Sequence, residues 1–204
     1  MKKSIDEHAA RFSDHAADYD ESQDSPEYRA CADLVVGHAD PAAGDVVLDV
    51  GTGTGAIAFG VAADAARVLG RDISEGMLER AGEKATERGV ENVEFGEGRF
   101  RDPQVPEDTA VDVVTSNFAM HHLSDDEKRD AIEAVAGLEP RRIVLGDVMF
   151  FGEPNPEDPF YSPEVDDPAT VGILADAFTD AGYALTAVEM VSEQVGVLVA
   201  EPRD

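Results

Sequence analysis

The sequence predicts one α/β domain: a mostly parallel sheet of seven strands, covered by helices, with an antiparallel strand in a C-terminal hairpin. Three observations predict this fold class. Short apolar runs alternate with helical patterns along the chain, as in strand, helix, strand units. The last two apolar runs are separated by only a short turn, which favours a hairpin. The length of 204 residues and the 43% of apolar residues suit a single core.

The strands are predicted where apolar runs lie between turn residues, and the helices where apolar residues recur on one face. The predicted strands cover residues 45–50, 66–71, 92–96, 110–116, 142–148, 183–190 and 194–200. A helix is expected to begin after Ser124, because Ser124 and Glu127 form a capping box. Another is expected to include Pro168 in its first turn and to end at Gly182.

Two stretches lack the pattern of a strand or of a covering helix: residues 1–40 and residues 150–167. Long irregular stretches in a compact domain are usually lids, binding loops or linkers. Aromatic residues in the second stretch could line a pocket or pin the loop to the core, and the second interpretation is favoured. They are Phe150, Phe151, Phe160 and Tyr161.

The charge of the chain is far from balanced, with 44 acidic and 16 basic residues and a formal net charge of -28. The acidic residues are scattered through periodic apolar segments, which favours a folded protein with an acidic surface over a disordered acidic tail. With only four lysines, this composition resembles proteins from salt-loving organisms, in which counter-ions screen the self-repulsion. Such a surface repels phosphate backbones and anionic lipids, so nucleic-acid and membrane partners are not expected.

The single cysteine, Cys31, lies in an apolar stretch and is expected to be a buried structural thiol. The beginning of the chain turns acidic after two lysines and lacks the continuous apolar run of a signal peptide or a membrane span. These features favour a cytoplasmic protein.

The strongest chemical motif is VVLDVGTGTG, in which a predicted buried strand leads directly into three glycines. Gly51, Gly53 and Gly55 let the backbone approach a ligand without side chains in the way. Asp72 follows about twenty residues later, at the distance where an acidic residue reaches a ribose diol. The alternative is an ordinary solvated acidic residue, or one that caps the following helix. The glycine spacing differs from the G-x-G-x-x-G of dinucleotide folds.

Three segments, LDVGTGTG, GRDISEGML and VDVVTSNFAMHHL, resemble the successive motifs of class I S-adenosylmethionine-dependent methyltransferases. The resemblance spans residues 12–200 and includes the opening FSDHAADYD, typical of many members that act on small molecules. It implies a Rossmann-like doubly wound fold, S-adenosylmethionine as cofactor, S-adenosylhomocysteine as product and a small-molecule acceptor. It also implies a helical lid at 1–40, a cofactor-binding core at 41–148, a substrate-side loop at 149–167 and a C-terminal helix and hairpin at 168–204.

The resemblance further implies which residues form the cofactor site. Asp49 is expected to orient the glycine loop, and Asp72 to hold the ribose. Gly51 and Gly53 are expected beside the methionine portion of the cofactor, with Tyr19 closing over it. The full implied set is Tyr19, Asp49, Gly51, Thr52, Gly53, Gly55, Asp72, Ile73, Met77, Arg99, Phe100, Asn117 and Phe118.

The chain departs from the family at the adenine end of the implied site, where Ile73 and Met77 are expected to pack on the base. After the third strand the family has glycine, an acid and a small residue, and the acid accepts a hydrogen bond from the adenine amino group. Here Arg99 replaces the acid, and its side chain has no acceptor atom. Either Asp102 substitutes through a shifted loop, or backbone and stacking hold the adenine.

The reaction end of the implied site offers few candidate catalytic residues. Asn117 and Phe118 are expected beside the sulfonium and its methyl group. The candidates for accepting a proton are His121, His122 and Tyr19, and the histidines could instead fix the loop by hydrogen bonds. Adjacent histidines on such a loop usually point in different directions, and no further ligands complete a recognisable set. No metal site is therefore predicted.

The expected function is in-line methyl transfer to a small molecule by a monomer or a homodimer. Alignment of the reacting groups would supply most of the acceleration. Two rivals stay open. A nicotinamide-dependent oxidoreductase would need the wider glycine spacing and a catalytic pair that the sequence does not offer. The other is a protein that binds the cofactor without transferring the methyl group, and the departure at Arg99 keeps this rival open.

Overall fold

The computed structural model describes residues 5–16, 18–22, 25–153 and 159–203, and one sheet forms their centre. Its strands are β1 (Val46–Val50), β2 (Arg67–Asp72), β3 (Val93–Glu97), β4 (Val113–Asn117), β5 (Arg142–Phe150), β6 (Ala169–Thr170), β7 (Tyr183–Ser192) and β8 (Val195–Pro202). All seven predicted strands are present, with bounds that differ by at most three residues. The two-residue strand β6, which pairs with β5, was not predicted.

The strands follow the order β3–β2–β1–β4–β5–β8–β7 across the sheet. Neighbours from β3 to β5 are parallel, whereas β8 is antiparallel to both β5 and β7. The predicted fold class is confirmed: a mostly parallel, Rossmann-like sheet with an antiparallel strand in its C-terminal hairpin. The order reverses direction between β1 and β4, which opens a crevice at the carboxyl ends of these strands.

Helices flank the sheet, and their buried side chains form its core. They are α1 (Ile5–His15), α2 (Tyr19–Ser22), α3 (Pro26–Ala39), α4 (Ala56–Val61), α5 (Glu75–Arg88), α6 (Asp125–Ala136) and α7 (Val171–Asp180), with a 3-10 turn at Met120–His122. One core cluster joins α6 and α7 to the sheet, and two others join α3 and α4 to it. Among the described residues, none of the helices combines the length and the apolar character needed to cross a bilayer.

Helix α3 corrects the expectation that residues 1–40 contain no covering helix. Its side chains Cys31, Val35 and Ala39 are fully buried, and the helix packs on β4, β5 and β8. The buried stripe is narrow and made of small residues spaced by four, so it is a weak pattern in the sequence. Cys31 is the buried structural thiol that was predicted, and burial raises its pKa above the usual range.

The helix ends show which local predictions hold. The capping box is confirmed, since the Ser124 amide donates to the Glu127 carboxylate at 2.9 Å and the Glu127 amide donates to the Ser124 hydroxyl. Gly182, with a φ of +89°, follows the end of α7 as predicted. The predicted start is wrong: Thr170, not the turn at Pro168, caps α7, because the chain is still extended beside β5 at that point.

Candidate active site

A cavity of about 230 Å³ opens at the carboxyl ends of β1, β2 and β4. Open α/β sheets bind ligands at this place, where the strand order reverses. One side is covered by α1 and α2, which together are called the N-terminal cover. The lining residues are Phe12, Tyr19, Val50, Gly51, Gly53, Asp72, Ile73, Met77, Gly98, Arg99, Phe100, Arg101, Phe118, Ala119, His122, Leu123 and Glu127.

The glycine loop links β1 to α4, and its three glycines all have positive φ angles. A Cβ atom on Gly53 would meet only Tyr19, at 3.9 Å, so this stretch of backbone faces the open cavity. A Cβ atom on Gly51 would collide with the segment after β4. Gly55 faces away from the cavity, because its Cβ position lies 2.7 Å from the ring of Phe59. Gly53 is therefore the glycine that leaves room for a ligand.

Asp49 supports the glycine loop from beneath. Its carboxylate accepts hydrogen bonds from the hydroxyls of Thr52, at 2.6 Å, and Thr115, at 2.8 Å. Burial raises the pKa of this carboxyl to about 6, although both hydroxyls favour the charged form. Asp49 and Thr52 do not line the cavity. The contacts agree with the expected role of Asp49 in orienting the loop.

Asp72 stands at the end of β2 and lines the cavity. One carboxylate oxygen accepts a hydrogen bond from the Gly53 amide at 2.8 Å, and the other from the Ser74 amide at 2.9 Å. Burial raises the pKa of the Asp72 carboxyl, against the effect of these amides. The cap of α5 is Ser74, whose hydroxyl accepts from the Met77 amide. Asp72 is therefore not the helix cap, and because it is buried it is not an ordinary solvated acidic residue either.

The residues expected at the adenine end of the site, Ile73, Met77, Arg99 and Phe100, all line the cavity. Asp102 does not line the cavity, and its carboxylate accepts a hydrogen bond from a neighbouring glutamine at 2.6 Å. Its backbone pairs with that of Arg99. This arrangement favours the second of the two alternatives, in which backbone and stacking hold the base.

Phe12 and Tyr19 bring aromatic rings of the N-terminal cover to the cavity, with ring centroids 6.4 Å apart. Tyr19 was predicted at this position, whereas Phe12 was not. Burial raises the pKa of the Tyr19 hydroxyl above its ordinary value. The hydroxyl therefore stays protonated near neutral pH, which suits a hydrogen-bond donor and argues against Tyr19 as the proton acceptor.

The segment after β4 forms another part of the cavity wall. Phe118 lines the cavity and holds a φ of +52°, a left-handed conformation that is costly for a bulky residue. Its amide donates to the Gly146 carbonyl at 2.9 Å. Asn117 does not line the cavity, and its side-chain oxygen accepts from the Cys31 thiol. Of the two residues predicted beside the sulfonium, Phe118 is therefore the one that faces the cavity.

His121 and His122 occupy the 3-10 turn after β4, and their ring centroids lie 4.0 Å apart. The expectation that they point in different directions is therefore wrong. His121 Nδ1 pairs with the Asp147 carboxylate at 2.5 Å, and His122 Nδ1 pairs with the Asp166 carboxylate at 2.7 Å. Of the two histidines, His122 lines the cavity.

The two imidazoles differ in their tendency to carry charge. Burial disfavours the protonated form of both, but at His121 the carboxylates of Asp147 and Asp166 together outweigh burial and raise the pKa. At His122, burial and the neighbouring His121 lower the pKa to about 4. His122 is therefore neutral at pH 7, and with Nδ1–H donated to Asp166 its Nε2 is in the acceptor form.

His121, His122 and Asp166 together have the composition of a metal site, with possible ligand atoms within 4.8 Å of one another. Each of these side chains already has protein partners. The second oxygen of Asp166 accepts from the Ser162 amide at 2.8 Å, and His121 is held by its own carboxylate. We therefore interpret the cluster as two carboxylate–imidazole pairs and assign no metal to it.

Most of the predicted site residues line the cavity. Those that do not are Asp49, Thr52, Gly55, Asn117 and His121. Sequence reasoning missed the lining residues Phe12, Val50, Gly98, Arg101, Ala119, Leu123 and Glu127. Phe12 lies in the FSDHAADYD opening and could have been found from it, whereas most of the others are chain neighbours of predicted residues.

The aromatic residues in and beside 150–167 act as anchors. Phe151 packs against Gly196 in the hairpin, and the Phe160 ring lies 6.1 Å from that of Phe118. None of the four lines the cavity. The favoured interpretation of these residues therefore agrees with the described part of the loop.

The reversed strand order, the glycine loop and the carboxylate at the end of β2 are typical of α/β proteins that bind a nucleoside-containing cofactor. Residues 47–138 match the methyltransferase domain family. With the relatives below, this match shows that the chain belongs to the class I S-adenosylmethionine-dependent methyltransferases. S-adenosylmethionine is the cofactor of that family, which sets the nicotinamide-dependent rival aside.

Two relatives illustrate the similarity in sequence. An uncharacterized methyltransferase of Bacillus velezensis is 30% identical over 146 residues, which are 68% of this chain and 66% of the relative. The uncharacterized methyltransferase YcgJ of Bacillus subtilis is 36% identical over 115 residues, 55% of this chain and 42% of that protein. The matched part thus spans two thirds of these relatives or less.

Solved structures show the same fold at low sequence identity. The crystal structure of YcgJ from Bacillus subtilis has a TM-score of 0.69 at 20% identity, over 86% of this chain and 99% of that one. DhpI in complex with S-adenosylhomocysteine has a TM-score of 0.74 at 20% identity, over 97% and 96%. A chain from the complex between the Haloferax volcanii Trm112 methyltransferase activator and a putative methyltransferase has a TM-score of 0.78 at 18% identity. The match covers 95% of this chain and 98% of that one.

Proposed function

We propose that this chain transfers the methyl group of S-adenosylmethionine to a small-molecule acceptor. The observation that carries the proposal is the Asp72 carboxylate, which is buried beside the Gly53 backbone at the carboxyl edge of the sheet. A carboxylate here offers two oxygens to a ribose diol, and Gly53 leaves the adjoining space without a side chain.

The remaining lining residues fit the other parts of this cofactor. Ile73 and Met77 offer an apolar wall to the adenine, and Phe100 offers a ring for stacking. Phe118 and Tyr19 would flank the reacting end. When bound, the cofactor supplies an electrophilic methyl group on a positively charged sulfur. Because no covalent step falls to the protein, its main task is alignment, which can be worth roughly 7 to 11 kcal/mol.

His122 is our candidate for moving a proton. An acceptor that attacks through oxygen or carbon must lose a proton, and His122 is neutral and lines the cavity. Asp166 holds its Nδ1–H, so that Nε2 takes the proton and the carboxylate stabilises the resulting charge. An amine or thiolate acceptor needs no such step. Replacing His122 by Asn should therefore lower kcat with a hydroxyl acceptor and leave cofactor affinity unchanged.

A small acceptor suits both the shape and the charge of the molecule. The cavity has a volume of about 230 Å³ and is lined largely by apolar and aromatic side chains, including Phe12 and Phe118. The net charge of -28 works against polyanions such as nucleic acids or anionic membranes. We propose that the protein acts as a monomer or a homodimer.

The proposal is tested by calorimetric titration with S-adenosylhomocysteine in molar KCl, followed by transfer from labelled cofactor to a panel of hydroxyl, amine, thiol and carbon acceptors. Binding with turnover of at least one acceptor class is expected. Absence of binding by the folded protein would overturn the proposal. If the protein binds S-adenosylhomocysteine but methylates none of the acceptor classes, the second candidate is favoured. This candidate is a cofactor-binding protein without transferase activity, and the Arg99 departure supports it.

A further inference from the structure

Lys84 is a buried cation in a strongly acidic chain. It lies on α5, and only 8% of its side chain is exposed. In the described part of the chain it is one of two lysines, the other being Lys128. Lys84 does not line the cavity. A buried ammonium group is costly unless it is paired, so its partners indicate its role.

The partners of Lys84 connect three separate elements. Its ammonium group donates to the Asp20 carboxylate at 2.8 Å and to the Thr54 hydroxyl at 3.0 Å. The Thr54 hydroxyl in turn donates to the other Asp20 oxygen at 2.5 Å. A closed triangle of hydrogen bonds thus joins α5, the glycine loop and the N-terminal cover. Although burial acts in the opposite direction, Lys84 and Thr54 lower the pKa of Asp20, which favours its charged form.

Two corners of the triangle, Asp20 and Thr54, are next in sequence to residues that line the cavity. Asp20 follows Tyr19, and Thr54 follows Gly53, which faces the Tyr19 ring across the cavity. The triangle, which binds Asp20 to Thr54, therefore fixes the position of Tyr19 relative to Gly53.

A second contact holds α1 of the N-terminal cover against α5. The hydroxyls of Ser13 and Ser74 lie 2.9 Å apart, and the Gly76 amide donates to the Ser13 hydroxyl. A Cβ atom on Gly76 would lie 2.9 Å from the Ser13 backbone, so glycine permits this close approach. This contact is neutral, whereas the triangle depends on charge.

We propose that Lys84 is a positioning residue that holds the N-terminal cover closed over the bound cofactor through Asp20 and Thr54. The inference rests on the proposed function, because the cofactor is what the cover retains. Phe12 and Tyr19 cover the cavity, so exchange of cofactor requires the cover to move. Breaking the triangle should therefore act on the dissociation of the cofactor more than on its association.

The test uses Lys84→Met, which keeps the apolar stem and removes the charge, and Asp20→Asn, whose side chain is half exposed. Dissociation of S-adenosylhomocysteine in molar KCl should become about tenfold faster in both. The amides of residues 9–22 should exchange hydrogen faster in the ligand-free variants, with the rest of the chain unchanged. The control is Arg88→Met, which removes an exposed charge from the same helix at a position where the guanidinium lies over the Phe59 ring.

The outcomes separate this inference from the proposed function. If the wild-type protein binds no S-adenosylhomocysteine, the proposed function fails, and hydrogen exchange in the ligand-free variants still tests the triangle. Unchanged exchange and unchanged dissociation in Asp20→Asn would overturn the inference. The double variant decides whether the pair acts together: the effects of Lys84→Met and Asp20→Asn should not add. If Lys84→Met fails to fold, Asp20→Asn and Thr54→Val carry the test.

Discussion

Gly53 and Gly89 hold similar left-handed conformations, with φ angles of +54° and +64°, in different surroundings. Gly53 faces the cavity, with Tyr19 as its neighbour. Gly89 ends α5, and a Cβ atom there would meet nothing within 4 Å. A side chain therefore has the same conformational cost at both positions. Only a side chain at position 53 would also obstruct the cavity.

Replacing either glycine by Ala should lower the free energy of unfolding by about 1 kcal/mol, as a left-handed alanine costs that much. Only Gly53→Ala should also weaken binding of S-adenosylhomocysteine, by at least about tenfold, since its methyl group enters the cavity. Urea unfolding and calorimetric titration of both variants provide the measurement. Equal affinities in the two variants would show that the cofactor does not pass beside Gly53.

His122 should make stability depend on pH. Its pKa in the folded protein is about 4, below the ordinary value of 6.5, so the unfolded chain binds this proton first as the pH falls. Stability is therefore present above about pH 6.5 and is lost as the pH drops toward 4. Urea unfolding at pH 7 and pH 5 should show a smaller loss in His122→Asn than in the wild-type protein. Parallel losses would contradict the low pKa.

The residue scale shows what the sequence could predict about the site. Asp49 and Asp72 could be predicted because each lies in a local motif beside a strand end. The carboxylates that hold the histidines could not, since Asp147 and Asp166 are 26 and 44 residues away from their partners. Their proximity is a product of tertiary structure. The proximity of the two imidazole rings was mispredicted for the same reason.

At the element scale, Lys128 connects α6 to the segment that precedes β6. Its ammonium group donates to the Leu123 carbonyl at 2.6 Å and to the Asp167 carbonyl. The Asp167 amide donates to the His121 carbonyl at 2.7 Å. Burial lowers the pKa of Lys128, although the two carbonyl oxygens accept hydrogen bonds from its ammonium group. The segment that carries Asp166 is thereby held beside the histidines.

Lys128→Met should lower the free energy of unfolding by about 2 to 3 kcal/mol, because it removes a charged donor from the partly buried carbonyl groups of Leu123 and Asp167. Arg129→Met is the matched control, since Arg129 is the next residue on α6 and forms an exposed pair with Asp180. The control should cost less than about 1 kcal/mol in the same urea unfolding experiment. Similar losses in the two variants would contradict the role given to Lys128.

The elements were predictable where the sequence pattern is local. Strands rich in apolar residues and the capping box at Ser124 were found at their observed places. The start of α7 was not, because Ala169–Thr170 extends beside β5, a pairing that depends on the folded sheet. Helix α3 escaped prediction as a covering helix because small residues form its buried stripe.

At the scale of the whole molecule, the fold class followed from the alternation of strands and helices, since parallel strands require crossover connections. The order of the strands did not follow, because long-range pairings such as β1 with β4 are set by packing. The charge is a further property of the whole molecule. With a formal net charge of -28, self-repulsion opposes the compact state.

Stability should rise with salt for this reason. We propose that the melting temperature in 2 M KCl exceeds that in dilute buffer by at least about 10 °C, because the screening length shrinks to about 3 Å or less. Thermal unfolding followed by circular dichroism measures this, with NaCl as a control for the identity of the cation. A melting temperature that does not change with salt would contradict the proposed adaptation to high salt.

The central claim is that the Asp72 carboxylate, beside the open backbone of Gly53, binds the ribose hydroxyls of S-adenosylmethionine or its product. The most direct measurement is a calorimetric titration of wild-type protein and Asp72→Asn with S-adenosylhomocysteine in 2 M KCl, with circular dichroism to confirm folding. The claim predicts one binding site in the wild-type protein and at least about tenfold weaker binding in the variant. Equal binding by the two folded proteins, or no binding by the wild-type protein, would contradict it.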